Sequence, residues 1–161
     1  MAQDISGFGA SVRLIASTTF PVGVTITQWA DDADPLDAPS VQIADKAMGV
    51  NGDMVSWSKA NPMLVTLNVI PGSGDDTNLQ ALFNANRVAK GKRGARDAIT
   101  LLVTYPDGKV ISYNRGKITD GMPGNSISSA GRLKSKEARL ASVTSGFVIW
   151  VSLWVVVGLW V

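Results

Sequence analysis

The strongest constraint on the fold is an alternation of apolar and polar residues that recurs along most of the chain. A period of two turns one face of an extended segment toward a core and the other toward solvent, as in antiparallel strands. β-Branched and aromatic residues dominate several of these segments, as strands prefer. The alternation predicts strands over residues 9–17, 22–29, 41–47, 53–59, 63–70, 98–105 and 109–117, and a last strand from Arg132 onward.

Turn-forming residues and one helical stretch complete the pattern. Gly49-Val50-Asn51-Gly52 and Pro106-Asp107-Gly108 each separate two strands and predict hairpins. From Thr77 to about Ala89, apolar residues recur at helical spacing, and acidic residues precede them where the helix dipole favours negative charge. The sequence therefore predicts a mainly β fold with one α-helix.

The sequence holds neither cysteine nor histidine. No thiolate is present to act as a nucleophile, no imidazole to transfer protons near neutral pH, and no Cys/His zinc site is possible. Carboxylate pairs, nucleophile elbows and hydrolase signatures do not occur in a supporting context. We expect a non-enzymatic protein with no catalytic residue, no cofactor and no metal site.

Charge is distributed unevenly along the chain. Residues 1–80 hold nine acidic and three basic residues, whereas residues 81–161 hold four acidic and twelve basic residues. Such a split is typical of nucleic-acid binding or of an acidic surface on one copy that meets a basic surface on the next, and opposite signs in one chain favour the second. The candidate contact residues are Asp31, Asp32, Asp34 and Asp37 in one loop, and Arg87, Lys90, Lys92, Arg93 and Arg96 in another.

The end of the chain is uncharged from Leu140 to Val161 and rich in valine, leucine and tryptophan. Its length and its basic flank fit a membrane anchor. Its alternation also fits a strand, and tryptophan stands at its middle rather than at its ends. We divide the chain into a body, residues 1–141, and a hydrophobic extension, residues 142–161. The candidates for packing of the extension between subunits are Phe147, Trp150, Trp154 and Trp160.

Three stretches carry a resemblance to a known family: Phe20-Pro21-Val22-Gly23, the segment DKAMGVNGD at residues 45–53, and GRLKSK at residues 131–136. With the order of the elements, they make residues 20 to about 140 resemble the tail-tube proteins of tailed phages. The resemblance implies an antiparallel β-sandwich or partial barrel with one flanking helix. It also implies that six copies join their sheets into a ring around an inner β-barrel.

In that family the rings stack into a hollow tube that conducts phage DNA, which touches the lumen non-specifically, into the host. The resemblance further implies a tail sheath and baseplate or tail-terminator proteins as partners in a contractile tail. It implies a virion protein that is assembled in the host cytoplasm. Two alternatives stay open: a β-domain anchored in a membrane by the C-terminal segment, and another tail or baseplate component of related fold.

Overall fold

The computed structural model describes residue 5 and residues 7–148. In this part of the chain, ten strands and one helix follow the order β1 (Ser11–Ala16), β2 (Phe20–Ile26), β3 (Leu36–Asp37), β4 (Ala44–Met48), β5 (Met54–Ser58), β6 (Met63–Val69), α1 (Gly74–Asn86), β7 (Ile99–Thr104), β8 (Val110–Gly121), β9 (Lys136–Ser142) and β10 (Thr144–Val148). The predicted class, mainly β with one helix, is confirmed.

Eight strands form one antiparallel sheet in the order β2-β1-β7-β8-β9-β6-β3, with β10 also paired to β8. β8 bends at Arg115, which has φ 54°, and at Gly116. A Cβ at Gly116 would lie 3.0 Å from the carbonyl oxygen of Ile99, so the close approach of β7 requires glycine. The bend divides the sheet into sheet A (β2, β1, β7, the first half of β8, and β10) and sheet B (the second half of β8, β9, β6 and β3).

The two sheets enclose one hydrophobic core. Hydrogen bonds from Ala30 N to Asn68 O, 3.1 Å, and from Ile70 N to Gln28 O, 3.1 Å, bring the end of β2 against the end of β6. Alternate residues of β1, β6, β7 and β9 are buried, and α1 contributes Leu79 and Leu82 to the same cluster. The described part of the chain is therefore a sandwich. The segment after β2 is joined to β6, and a single helix packs beside the sheets.

The helix begins three residues before the predicted Thr77 and ends before the predicted Ala89. Ser73 is its N-cap and accepts a hydrogen bond from Asp76 N at 3.2 Å, so Asp75 and Asp76 lie in the first turn rather than in a preceding loop. The helix ends at Asn86 because Arg87 adopts an extended backbone.

Two other expectations need correction. The last strand of the predicted body begins at Lys136 instead of Arg132, because residues 126–134 form a turn of their own closed by Ser128 N to Arg132 O and Lys134 N to Ser126 O. The acidic stretch predicted as a loop contains the short strand β3, which pairs with β6.

Candidate assembly surfaces

One part of the described chain lies outside the sandwich: the apolar hairpin, residues 43–59. Its strands β4 and β5 pair only with each other, from Ala44↔Ser58 to Met48↔Met54. Its hydrophobic side chains are nevertheless on the surface: Ile43 is 75% exposed, Met48 67%, Val50 106%, Met54 64%, Val55 59% and Trp57 48%. The hairpin was predicted from its turn, but its exposure could not be read from the sequence.

The turn of the apolar hairpin explains why it forms without support from the sheet. Gly52 has φ 86°, a conformation that glycine adopts without strain, and its N–H donates to Gly49 O at 2.9 Å. Gly49 N donates to Asp53 O at 2.7 Å and closes the turn. At the base, the Asn61 side chain donates to Gln42 O at 2.8 Å. A two-stranded hairpin is marginally stable alone in water, so its apolar faces need a cover.

The second surface is the basic loop, residues 87–96, which follows α1. Its five predicted contact residues Arg87, Lys90, Lys92, Arg93 and Arg96 are all exposed. The Lys92 amine donates to the carbonyl oxygen of Asn84 on the helix. The other four cations have no carboxylate within ion-pair distance among residues 7–148.

Buried Asp97 fixes the end of the basic loop. Its carboxylate accepts hydrogen bonds from Thr18 N at 2.7 Å, Thr19 N at 3.1 Å, the Thr19 hydroxyl and Asn86 Nδ2 at 2.9 Å. Burial alone raises the pKa of Asp97, but the donated hydrogen bonds outweigh it and the pKa lies below its ordinary value. The ionised carboxylate thus joins the β1–β2 turn to the end of α1.

The third surface is the acidic loop, residues 31–39. Arg132 donates to both carboxylate oxygens of Asp31, at 2.8 and 2.9 Å, and the Ser135 hydroxyl donates to Asp32. These hydrogen bonds lower the pKa of Asp31 and of Asp32. Asp31 and Asp32, two of the four predicted carboxylates, therefore have hydrogen-bond partners within the chain. These partners lie about a hundred positions away in the sequence.

The other two predicted carboxylates, Asp34 and Asp37, lie in a groove. This acidic groove has a volume of about 500 Å³ and runs between the acidic loop and the outer face of sheet B. Asp120, Glu137 and Arg139 line it as well, and Arg139 Nε contacts Glu137 Oε1 at 2.5 Å. Neither Asp34 nor Asp37 forms a side-chain ion pair with any other described residue.

The four predicted packing residues of the extension fall mostly outside the described chain. Phe147 belongs to β10, where its backbone pairs with Ile111 of β8. Trp150, Trp154 and Trp160 lie outside the described residues, and their packing role stays a prediction. No helix of the described chain is long and apolar enough to cross a membrane. Within the same residues, no group of three or more acidic side chains is arranged to hold a metal ion.

A sequence model described as tail fiber protein gp32 matches residues 3–141, most of the chain. The chain belongs to this family. A comparison with curated proteins gives no match. The family description identifies a tail protein, and it agrees with the tail-protein resemblance of the sequence.

Solved structures share the fold at low sequence identity. A chain in the cap that terminates the tube of the anti-feeding prophage aligns with a TM-score of 0.53 and 13% identity, over 92% of this chain and 93% of that one. A sheath/tube terminator chain of an extracellular contractile injection system aligns with 0.51 and 13%, over 92% and 99%. A chain of the anti-feeding prophage baseplate aligns with 0.54 and 6%, over 92% and 97%. The resemblance to tail-tube proteins is confirmed at the level of the fold.

Proposed function

We propose that this member of the gp32 family is a non-enzymatic structural subunit that assembles with copies of itself into rings, and that the rings stack into a tail tube. The apolar hairpin carries the proposal. The described sandwich already buries its own core, so the exposed side chains around Trp57 serve no purpose in folding. A neighbouring copy that covers them removes their contact with water.

The edges of sheet A support the same proposal. β2 and β10 are its outermost strands, and each presents backbone groups on one side that no described strand pairs. An exposed edge invites another chain, and a ring in which each sheet continues into the next removes every such edge. The contact joins two different edges, so it is heterologous and closes into a ring when the rotation between copies allows it.

The ring is proposed to hold six copies. One structure with the same fold comes from a baseplate that was 6-fold symmetrised. A tube of such rings would let phage DNA pass through the lumen without specific contacts, inside a sheath if the tail contracts, and between a baseplate and a terminator. The protein would then be part of the virion and would be assembled in the host cytoplasm. The division into a body, residues 1–141, and a hydrophobic extension, residues 142–161, stays a proposal; β10, at the start of the extension, pairs with β8.

A second candidate is a single closed ring at one end of the tube. Two of the structures described above are named as a tube-terminating cap and a sheath/tube terminator, which support this candidate. The family description names a fibre. We favour a ring, because both outer strands of sheet A have an edge that no described strand pairs.

Negative-stain electron microscopy of the full-length protein without detergent tests the proposal. We expect rings of uniform diameter, which stack into hollow rods for a tube protein and stay single for a cap or terminator. Monomers at every concentration, or material that needs detergent to remain in solution, would refute self-assembly and favour the membrane-anchored alternative.

A further inference from the structure

We infer that the acidic groove of one copy binds the basic loop of the next copy. The inference rests on the proposed self-assembly and adds to it the two surfaces that meet. It assigns a partner to side chains that have no ion pair among the described residues: Asp34 and Asp37 on one side, and the arginines at positions 93 and 96 on the other.

The groove is built to accept a cation-bearing segment. It is a concave site with carboxylates on both walls, Asp34 and Asp37 from the acidic loop, Asp120 and Glu137 from sheet B, and Leu64 at its side. Its one lining cation, Arg139, already contacts Glu137 at 2.5 Å. The groove therefore has an excess of negative charge, together with apolar surface on which the alkyl part of an arginine side chain can lie.

The basic loop has the complementary charge. None of its five cations has a carboxylate partner in the described chain, and Lys92 donates to the helix carbonyl of Asn84. The loop is held in place by Asp97 and by the hydrogen bond from Ala95 N to Ala85 O, 2.9 Å. A loop that is fixed in the free protein loses little conformational entropy when it binds.

No hydrogen bond or ion pair of the described chain joins the basic loop to a residue that lines the groove. Lys136 and Leu140 of β9 are buried on the inner face of sheet B, where the Lys136 amine lies 3.5 Å from Asp76 of α1. Glu137 and Arg139 alternate with them and lie on the outer face, in the groove. The basic loop follows α1, which packs against the inner face. Contact between copies brings the groove of one copy to the loop of another, and in the proposed ring or stack this contact is heterologous.

Charge reversal tests the inference. The groove variant is Asp34→Lys/Asp37→Lys, and the loop variant is Arg93→Asp/Arg96→Asp; aspartate suits position 96, whose φ is 54°. The matched control is Asp107→Lys, an exposed carboxylate on the β7–β8 turn. The concentration at half-assembly is measured for each by sedimentation velocity at low and high salt, with circular dichroism as the check of folding.

Each reversed variant alone should need at least about tenfold more protein to assemble, because attraction across the contact becomes repulsion. An equimolar mixture of the groove and loop variants should assemble like the wild type, since each reversed surface then meets an opposite charge on the other variant. That rescue would also show that both variants are folded.

Three results would overturn the inference, and they differ in what else they refute. If the wild type and both variants assemble equally, the groove and loop do not meet, while the proposed self-assembly stands. If the wild type stays monomeric, both fail. Variants that fail to assemble alone and also fail when mixed, although folded, would show that the charges act elsewhere than across one shared contact.

Discussion

In the sandwich, Leu14, Leu67 and Leu82 are 0% exposed, whereas in the apolar hairpin Val55 is 59% and Trp57 48% exposed. The sandwich also satisfies its buried charges internally: Asp97 accepts several hydrogen bonds, and Asp76 lies 3.5 Å from Lys136. The large apolar side chains of the hairpin, by contrast, stay exposed in the described chain. The same kinds of side chain therefore do two tasks: in the sandwich they stabilise one copy, and in the hairpin we propose that they join copies.

This difference implies that different residues of one short chain govern its folding and its assembly. Substitutions in the sandwich should change the free energy of unfolding, and substitutions in the hairpin should change association with little effect on unfolding. The predictions below test that separation, beginning with the largest expected effect.

A matched pair of valines gives the largest contrast. Val65 is 1% exposed in β6, and Val55 is 59% exposed in β5. Val65→Ala should lower the free energy of unfolding by about 2.5 kcal/mol, since it removes buried methyl groups and leaves a cavity. Val55→Ala should change it by less than about 0.5 kcal/mol. Urea unfolding at a concentration below that of assembly measures both, and equal losses would contradict the separation.

The second effect concerns Asp97 and depends on pH. Asp97→Asn places an amide NH₂ where Asn86 Nδ2 and the Thr19 hydroxyl donate, and we expect a loss of about 1.5 kcal/mol at pH 7. The pKa of Asp97 is depressed in the folded state. Its contribution to stability is therefore complete above the unfolded pKa, about 3.9, and is lost as pH falls through the lower folded pKa.

Urea midpoints at pH 7 and pH 3 measure this effect. The gap between wild type and Asp97→Asn should narrow at pH 3, because this pH is below the carboxylate pKa of about 3.9 in the unfolded chain, so the unfolded wild type already binds the proton. A gap that is the same at both pH values would show that the ionised carboxylate does not stabilise the fold.

The smallest effect is expected at the exposed ion pair between Arg132 and Asp31. Both side chains are exposed, so solvent screens the pair and Arg132→Ala should barely move the unfolding midpoint. It should instead speed hydrogen exchange in the acidic loop, because the bidentate contact that orders Asp31 is lost. The control is Arg132→Lys, which keeps the positive charge but cannot form the bidentate hydrogen bonds to the carboxylate. Unchanged hydrogen exchange in both variants would show that the Arg132–Asp31 ion pair does not order the acidic loop.

The sequence allowed the strands, the hairpins and the helix to be predicted because these depend on local periodicity and on turn residues such as Asn51 and Gly52. It could not reveal contacts between distant residues. Asp31 is predicted as a contact residue, but nothing local in the sequence pairs it with Arg132, 101 positions away. Lys136 was placed in a strand with Arg132 and Lys134, yet it is buried beside Asp76 because β9 begins only at Lys136.

The exposure of the hairpin was missed for a related reason. Val55 and Trp57 alternate with serines in β5, which is the pattern of a half-buried strand, and the pattern does not state which surface buries them. The signal that was available is the presence of apolar residues on both faces around the Gly49–Gly52 turn, with Met48 and Met54 on one face and Val55 and Trp57 on the other.

The most direct test of the central claim is the double variant Val55→Lys/Trp57→Lys, compared with the wild type by sedimentation velocity without detergent. The control is Ser129→Lys/Ala130→Lys, which adds the same charge at exposed loop positions. We predict that the hairpin variant keeps the wild-type unfolding midpoint when both are measured below the concentration of assembly. Above that concentration it should sediment as a monomer, while the wild type and the control form particles. A hairpin variant that forms the same particles as the wild type would contradict the claim that a neighbouring copy covers the apolar hairpin.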